Sequence, residues 1–196
     1  MVSSIAACAI ATTDALAEKF PTAFVEGAIG AGVSAGTLTY ASTNYVGARY
    51  FDRTSSAGPL VDLTASTGAA WREFAFGAAF DATLMQSFWK ESNGSTAIVS
   101  ASAIAVLRDA ISGVQGSMAL GYASGGELTC TTLDAGQGSS GGCGTSMTGP
   151  RLALRFGYAW PSGVGFATTG SYTYLFSGDS SFKVLTMAVQ GTLSSW

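Results

Sequence analysis

The chain has no histidine, and only nine lysines and arginines stand against twelve aspartates and glutamates, a formal charge of −3 over 196 residues. Without an imidazole, a serine or cysteine nucleophile loses its usual proton acceptor. Without a cluster of Lys or Arg, nothing displaces the counterions of a nucleic acid, so no sequence-specific nucleic-acid binding is expected. The three cysteines, Cys8, Cys130 and Cys143, show no CxxC spacing and are too few for a disulfide framework or a zinc site. Every candidate for a spanning helix, which needs about 18 apolar residues, is interrupted by Gly, Ser, Thr or a charge.

Ionised side chains are scarce as a class, at 11% of residues, where soluble domains average about 25%. Hydrophobic residues make up 47% and the mean hydropathy is +0.34, enough for one substantial core in a chain of this length. An exterior this poor in charge calls for a covering other than solvent. Two coverings suit it: neighbouring copies in an assembly, or lipid around a closed β-barrel.

Alternation of side chains supports a mainly β fold. Val114, Gly116, Met118, Leu120 and Tyr122 share one face of an extended segment, as do Leu152, Leu154, Phe156, Tyr158 and Trp160. Val164, Phe166, Tyr172, Tyr174 and Phe176 follow after the Pro161-Ser162-Gly163 turn, then Leu185, Met187, Val189 and Leu193. The faces opposite are small and almost uncharged: Gly165, Ala167, Thr169, Ser171 and Thr173, or Ala153, Arg155, Gly157 and Ala159. A face turned to water would carry Lys and Glu, so the bulky face suits a core or a lipid wall and the small face suits close approach of another sheet. Earlier in the chain, Phe74, Phe76, Ala78 and Phe80 also fall on one side of an extended segment.

The expected fold is therefore an antiparallel β-sandwich or barrel with one or two short helices. One helix is predicted at 13–20, capped by Thr12 or Thr13 and stopped by Pro21, and one at 97–112, where Ile104, Leu107 and Ile111 fall at helical spacing before Gly113. The organisation that follows is an N-terminal arm over 1–22 and a single β-rich domain over 23–196, with a Gly/Ser-rich loop at 124–150 in which Cys130 and Cys143 can bond if the compartment is oxidising.

No catalytic, cofactor or metal residues emerge, and the chain is expected not to be an enzyme. Gly138-Ser139-Ser140-Gly141-Gly142 fits the G-x-S-x-G nucleophile pattern, but it lies in a flexible loop and has no histidine to act with. Gly136, Gly138 and Gly141 fit G-x-G-x-x-G with no acidic residue about 20 positions on. Arg49, Tyr50, Phe51 and Arg53 form the densest polar-aromatic cluster beside Asp52 and, with Trp196, are candidate subunit-interface residues. The amino terminus carries no positive charge and Ile5-Ala6-Ala7-Cys8 stands too early for a lipoprotein signal, so the chain reads as unprocessed and made in the cytoplasm.

That last point tips the choice towards assembly. The expectation is a self-assembling virion subunit (a phage tail-tube, capsid or capsid-decorating protein) built in the host cytoplasm, with copies of itself and other virion proteins as partners. The alternative is a porin-like outer-membrane β-barrel, and only under that reading is the membrane a partner.

Overall fold

Eight extended segments, each long enough to cross a lipid bilayer, account for almost all of the chain seen in the structure. It is a computed structural model that describes residues 21–43, 47, 49–86, 95–109, 111–127 and 146–195, with the backbone alone at 41–43, 50 and 127. The strands are β1 (Thr22–Thr43), β2 (Arg49–Ala70), β3 (Phe74–Gln86), β4 (Ser95–Arg108), β5 (Val114–Glu127), β6 (Met147–Ala159), β7 (Val164–Ser177) and β8 (Ser180–Ser195). Each pairs antiparallel with the next, and β8 returns to β1 from Val25↔Ser195 to Thr39↔Ser181, closing a barrel. Closure leaves no free sheet edge around the barrel.

Of the antiparallel sandwich or barrel expected, the barrel is observed, but one predicted helix is not. Residues 97–112 belong mostly to β4, with Ile98, Ile104 and Val106 turned inward and Val99 and Leu107 outward. Apolar residues on both faces of β4 hide the two-residue period, and the i, i+3, i+7 spacing of Ile104, Leu107 and Ile111 imitates a helix. The helix predicted at 13–20 lies outside the described residues, as does the predicted arm up to residue 20, while Thr22 already belongs to β1. Strand pairing also runs into both ends of the segment read as a loop at 124–150, since Gly125 pairs with Met147.

The two ends of the barrel differ. At one end, strands join through residues 71–73, 109–113 and 160–163, held by bonds such as Gly113 N–H to Asp109 O (2.8 Å) and Gly163 N–H to Trp160 O (2.9 Å). Gly113 and Gly163 take φ of 75° and 83° there, the left-handed region open to glycine at little cost. At the other end the connections are 44–48, 87–94, 128–146 and 178–179. There β1 and β2 rise as a hairpin, paired through to Thr43↔Arg49, past the last β1–β8 pair at Thr39↔Ser181.

Burial is inverted relative to a protein that folds around an apolar centre in water. Along β6, β7 and β8 the inward residues are buried one after another, while the bulky residues between them face out. Phe156 is 69% exposed, Leu193 66%, Val189 63% and Val33 63%. Arg151, by contrast, is 2% exposed. The bulky faces read from the sequence are therefore the outer wall, and the small faces line the lumen.

Candidate functional site

Two surfaces carry the chemistry of this barrel, the outer wall and the lumen, and the pleat of each strand assigns residues to them alternately.

On the outer wall, aromatic residues gather at two levels. Near the turn end, Trp71 packs on Phe74 (centroids 6.0 Å apart), and Tyr158, Trp160 and Phe166 contact one another at 5.3–6.2 Å. Towards the loop end stand Tyr122, Tyr172, Tyr174 and Phe176; the Tyr122 hydroxyl meets Thr148 Oγ1 at 3.2 Å, and Tyr174 lies 5.8 Å from Phe176. Phe166 and Phe176 are ten residues apart on β7, about 25 Å across the wall for strands tilted about 40°. That matches the height of the apolar band that barrels present to lipid, flanked by interfacial aromatics.

The wall between these levels carries Ile29, Val33, Val61, Leu63, Phe80, Met118, Leu120, Leu154, Met187 and Val189. Among the outward positions of the eight strands, only Arg49, Arg53 and Lys183 are charged, and all three stand at the loop end. Leaving ten such side chains in water would forgo about 1.5–3 kcal/mol each relative to burial. A lipid environment removes that cost.

The lumen is filled rather than open. A layer formed by Leu38, Leu60, Met85, Ile98, Leu175 and Phe182 closes it towards the loop end. Phe24, Ala75, Ala79, Ile104 and Val106 form a second layer towards the turn end. Between and beside them lies a polar belt. Arg155 Nη1 makes a short ion pair with Glu26, which also accepts from Gln115 Nε2 at 3.5 Å. Gln190 donates to Asp62 at 2.8 Å and accepts from Thr169 at 2.8 Å; Thr83 donates to Asp62 at 2.6 Å; and Arg151 Nη1 reaches Thr83 at 3.3 Å. Thr64 and Ser100 both donate to Asp81, at 2.9 and 3.0 Å. Buried carboxylates are thus paired or hydrogen-bonded, as a low-dielectric interior requires. Eight strands enclose a space that side chains can fill, whereas an aqueous channel takes many more.

The candidate interface residues fall apart from this belt. Arg49 forms an exposed ion pair with Asp179 (2.9 Å) between the β1–β2 hairpin and the β7–β8 turn. Phe51 and Arg53 point outward on β2; Tyr50 pairs with Ser42 through the backbone, and its side chain is not described. Trp196, Cys130 and Cys143 lie outside the described residues. Among the described residues, no group of three His, Cys, Asp or Glu comes together to hold a metal. Sequence reasoning missed the lumenal charges Glu26, Asp62, Asp81 and Arg151. Each stands singly on a small face, and only Arg155, opposite the Leu152–Trp160 face, had been visible in an alternating run.

No protein-family model matches the sequence, and no curated protein does. Solved structures do. The chain is similar to Neisserial surface protein A, NspA (18% identity, TM-score 0.52, 88% of this chain and 98% of that one), and to the N-terminal β-barrel domain of Pseudomonas aeruginosa OprF (8% identity, TM-score 0.51, 88% and 97%). At these identities the likeness is one of fold. Together with the outward apolar wall, it overturns the expectation of a tail-tube, capsid or decorating subunit assembled in a host cytoplasm and favours the outer-membrane alternative. What the chain shares with these structures is a fold, the closed antiparallel β-barrel.

Proposed function

We propose that the protein is a lipid-embedded outer-membrane β-barrel that acts as a closed anchor for the segments at its loop end, and neither a catalyst nor a diffusion pore. The observation that carries this reading is the outer wall: aromatic at two levels about 25 Å apart, apolar between them, and at its outward strand positions free of charge except towards the loop end. Strands β3 to β8 of 13–16 residues exceed the 9–11 or so that cross a bilayer. The two apolar layers and the hydrogen-bonded belt in the lumen support the closed form over a porin-like one. The absence of histidine and the use of the lumenal carboxylates in paired contacts support a non-catalytic role.

The test is refolding of the full chain from urea into phospholipid vesicles. A membrane barrel gains a heat-modifiable gel mobility and protection of its strands from added protease. It also leaves planar bilayers without discrete conductance steps. A chain that stays soluble and protease-sensitive without lipid contradicts the membrane reading, and steady conductance contradicts the closed one.

A further inference from the structure

The three outward cations are not scattered. On β8, β1 and β2 the register sets Lys183 beside Thr37 and Thr37 beside Ser55; one step towards the loop end, Ser181 stands beside Thr39 and Thr39 beside Arg53. These six outward positions make a polar block of four hydroxyls and two cations on a wall otherwise apolar. Strands lie about 4.8 Å apart and alternate residues about 6.6 Å apart, so the Cα atoms of Arg53 and Lys183 are about 12 Å apart, within the joint reach of two long side chains.

The block also holds a groove. Thr37, Ser55, Tyr172 and Lys183 line a shallow depression of about 580 Å³, and Thr37 Oγ1 lies 3.1 Å from Ser55 Oγ. Lys183 Nζ sits 5.5 Å from the centroid of the Tyr174 ring, with which its residue is in register, so the charge stands at the aromatic level that marks the membrane interface. Leu185, the next outward residue on β8, is 53% exposed and belongs to the apolar wall. Among the described residues no carboxylate is paired with Arg53 or Lys183, whereas Arg49 is paired with Asp179.

We propose that this block binds the anionic phosphate headgroup of a membrane lipid, with Arg53 and Lys183 supplying charge, the Thr and Ser hydroxyls donating hydrogen bonds, and the acyl chains lying down the wall past Leu185. An anion is favoured because the block offers two unpaired cations and no acid on the outer face. A lipid is favoured over a soluble ion because the same groove is continuous with lipid-facing residues. Lys and Arg held at a membrane surface attract anionic lipid headgroups. The inference rests on the membrane reading above.

The experiment is native mass spectrometry of the full chain released from mixed micelles containing phosphatidylglycerol or phosphatidylcholine, with Arg53→Gln/Lys183→Gln and Arg49→Gln compared with the unaltered protein. Expected is retention of one or two phosphatidylglycerol molecules in preference to phosphatidylcholine, reduced about 10- to 30-fold in the double variant and unchanged in Arg49→Gln. Equal retention of both lipids, or equal loss in Arg49→Gln, overturns the proposal. Displacement by millimolar inorganic phosphate overturns the lipid assignment in favour of a free-anion site. Heat-modifiable mobility and protease protection in vesicles are measured alongside. A chain that inserts yet shows no preference refutes this site alone, and one that does not insert refutes the membrane reading as well.

Discussion

A single positive charge placed halfway up the outer wall separates lipid from water as its surroundings. Met187 is 54% exposed and points outward; it pairs with Val33 on β1 and Gly170 on β7, and Gly170 lies midway between Phe166 and Tyr174. On a water-facing surface Met187→Arg is a mild change, within about 0.5 kcal/mol. At a bilayer midplane the guanidinium must be buried in hydrocarbon or draw water in after it, which costs about 2–4 kcal/mol. At about 1.36 kcal/mol per factor of ten, the folding equilibrium then falls about 30- to 1000-fold. Ser195→Arg, also outward but at the end of β8, is expected to cost about 0–1 kcal/mol. The assay is urea-driven unfolding from phospholipid vesicles, followed by tryptophan fluorescence and by the fraction of heat-modifiable protein. The reasoning is refuted if the two variants have midpoints that agree within error.

The lumen, a seam and a turn of the barrel give three further expectations. Glu26→Ala or Arg155→Ala alone leaves an uncompensated buried charge and destabilises by about 3–5 kcal/mol, while Glu26→Gln/Arg155→Met together costs less than the sum of the single changes; a double-mutant cycle in urea measures the difference. Gly32→Ala sets a Cβ against the Met187 carbonyl where β1 meets β8, so it is expected to destabilise by about 1–3 kcal/mol and to slow folding into vesicles. In the β4–β5 turn, Ser112 Oγ and then the Ile111 N–H donate to Asp109 and hold its carboxyl below the usual range. A lowered value means that the ionised form is the stabilising one. Its small contribution is complete above the unfolded carboxyl's value and lost as pH falls through the folded one, and Asp109→Asn is expected to flatten that acid limb in pH-dependent unfolding.

The sequence carried the β-rich fold most clearly from β5 to β8, where bulky and small residues mostly alternate and turns such as Pro161-Ser162-Gly163 divide the strands. It was opaque at β4, because inward Ile98, Ile104 and Val106 close the lumen and so remove the contrast between faces. In β1, runs such as Gly30-Ala31-Gly32 have little bulk on either side, and the close approach that demands glycine there becomes visible only once β8 lies alongside. The environment was harder still. Two-residue alternation states that one face is apolar, and both a core and a lipid wall satisfy it; closure in space decides which way the face points. The lumenal pairs join residues far apart in the chain, as with Glu26 and Arg155, so no local motif announces them. Arg49, Phe51 and Arg53 stood out in the sequence as a polar-aromatic cluster, but only the register with Lys183 across β1 relates Arg53 to a second cation on the same face.

The central statement, that the bulky faces meet lipid and the small faces fill the lumen, is tested most directly by methyl cross-saturation from acyl-chain protons in nanodiscs. The account predicts that methyls of Val33, Leu120, Met187 and Val189 lose intensity while those of Leu38, Ile98, Leu175 and Val184 do not. Equal transfer to both sets, or transfer to the outward set from water instead of from acyl chains, contradicts it.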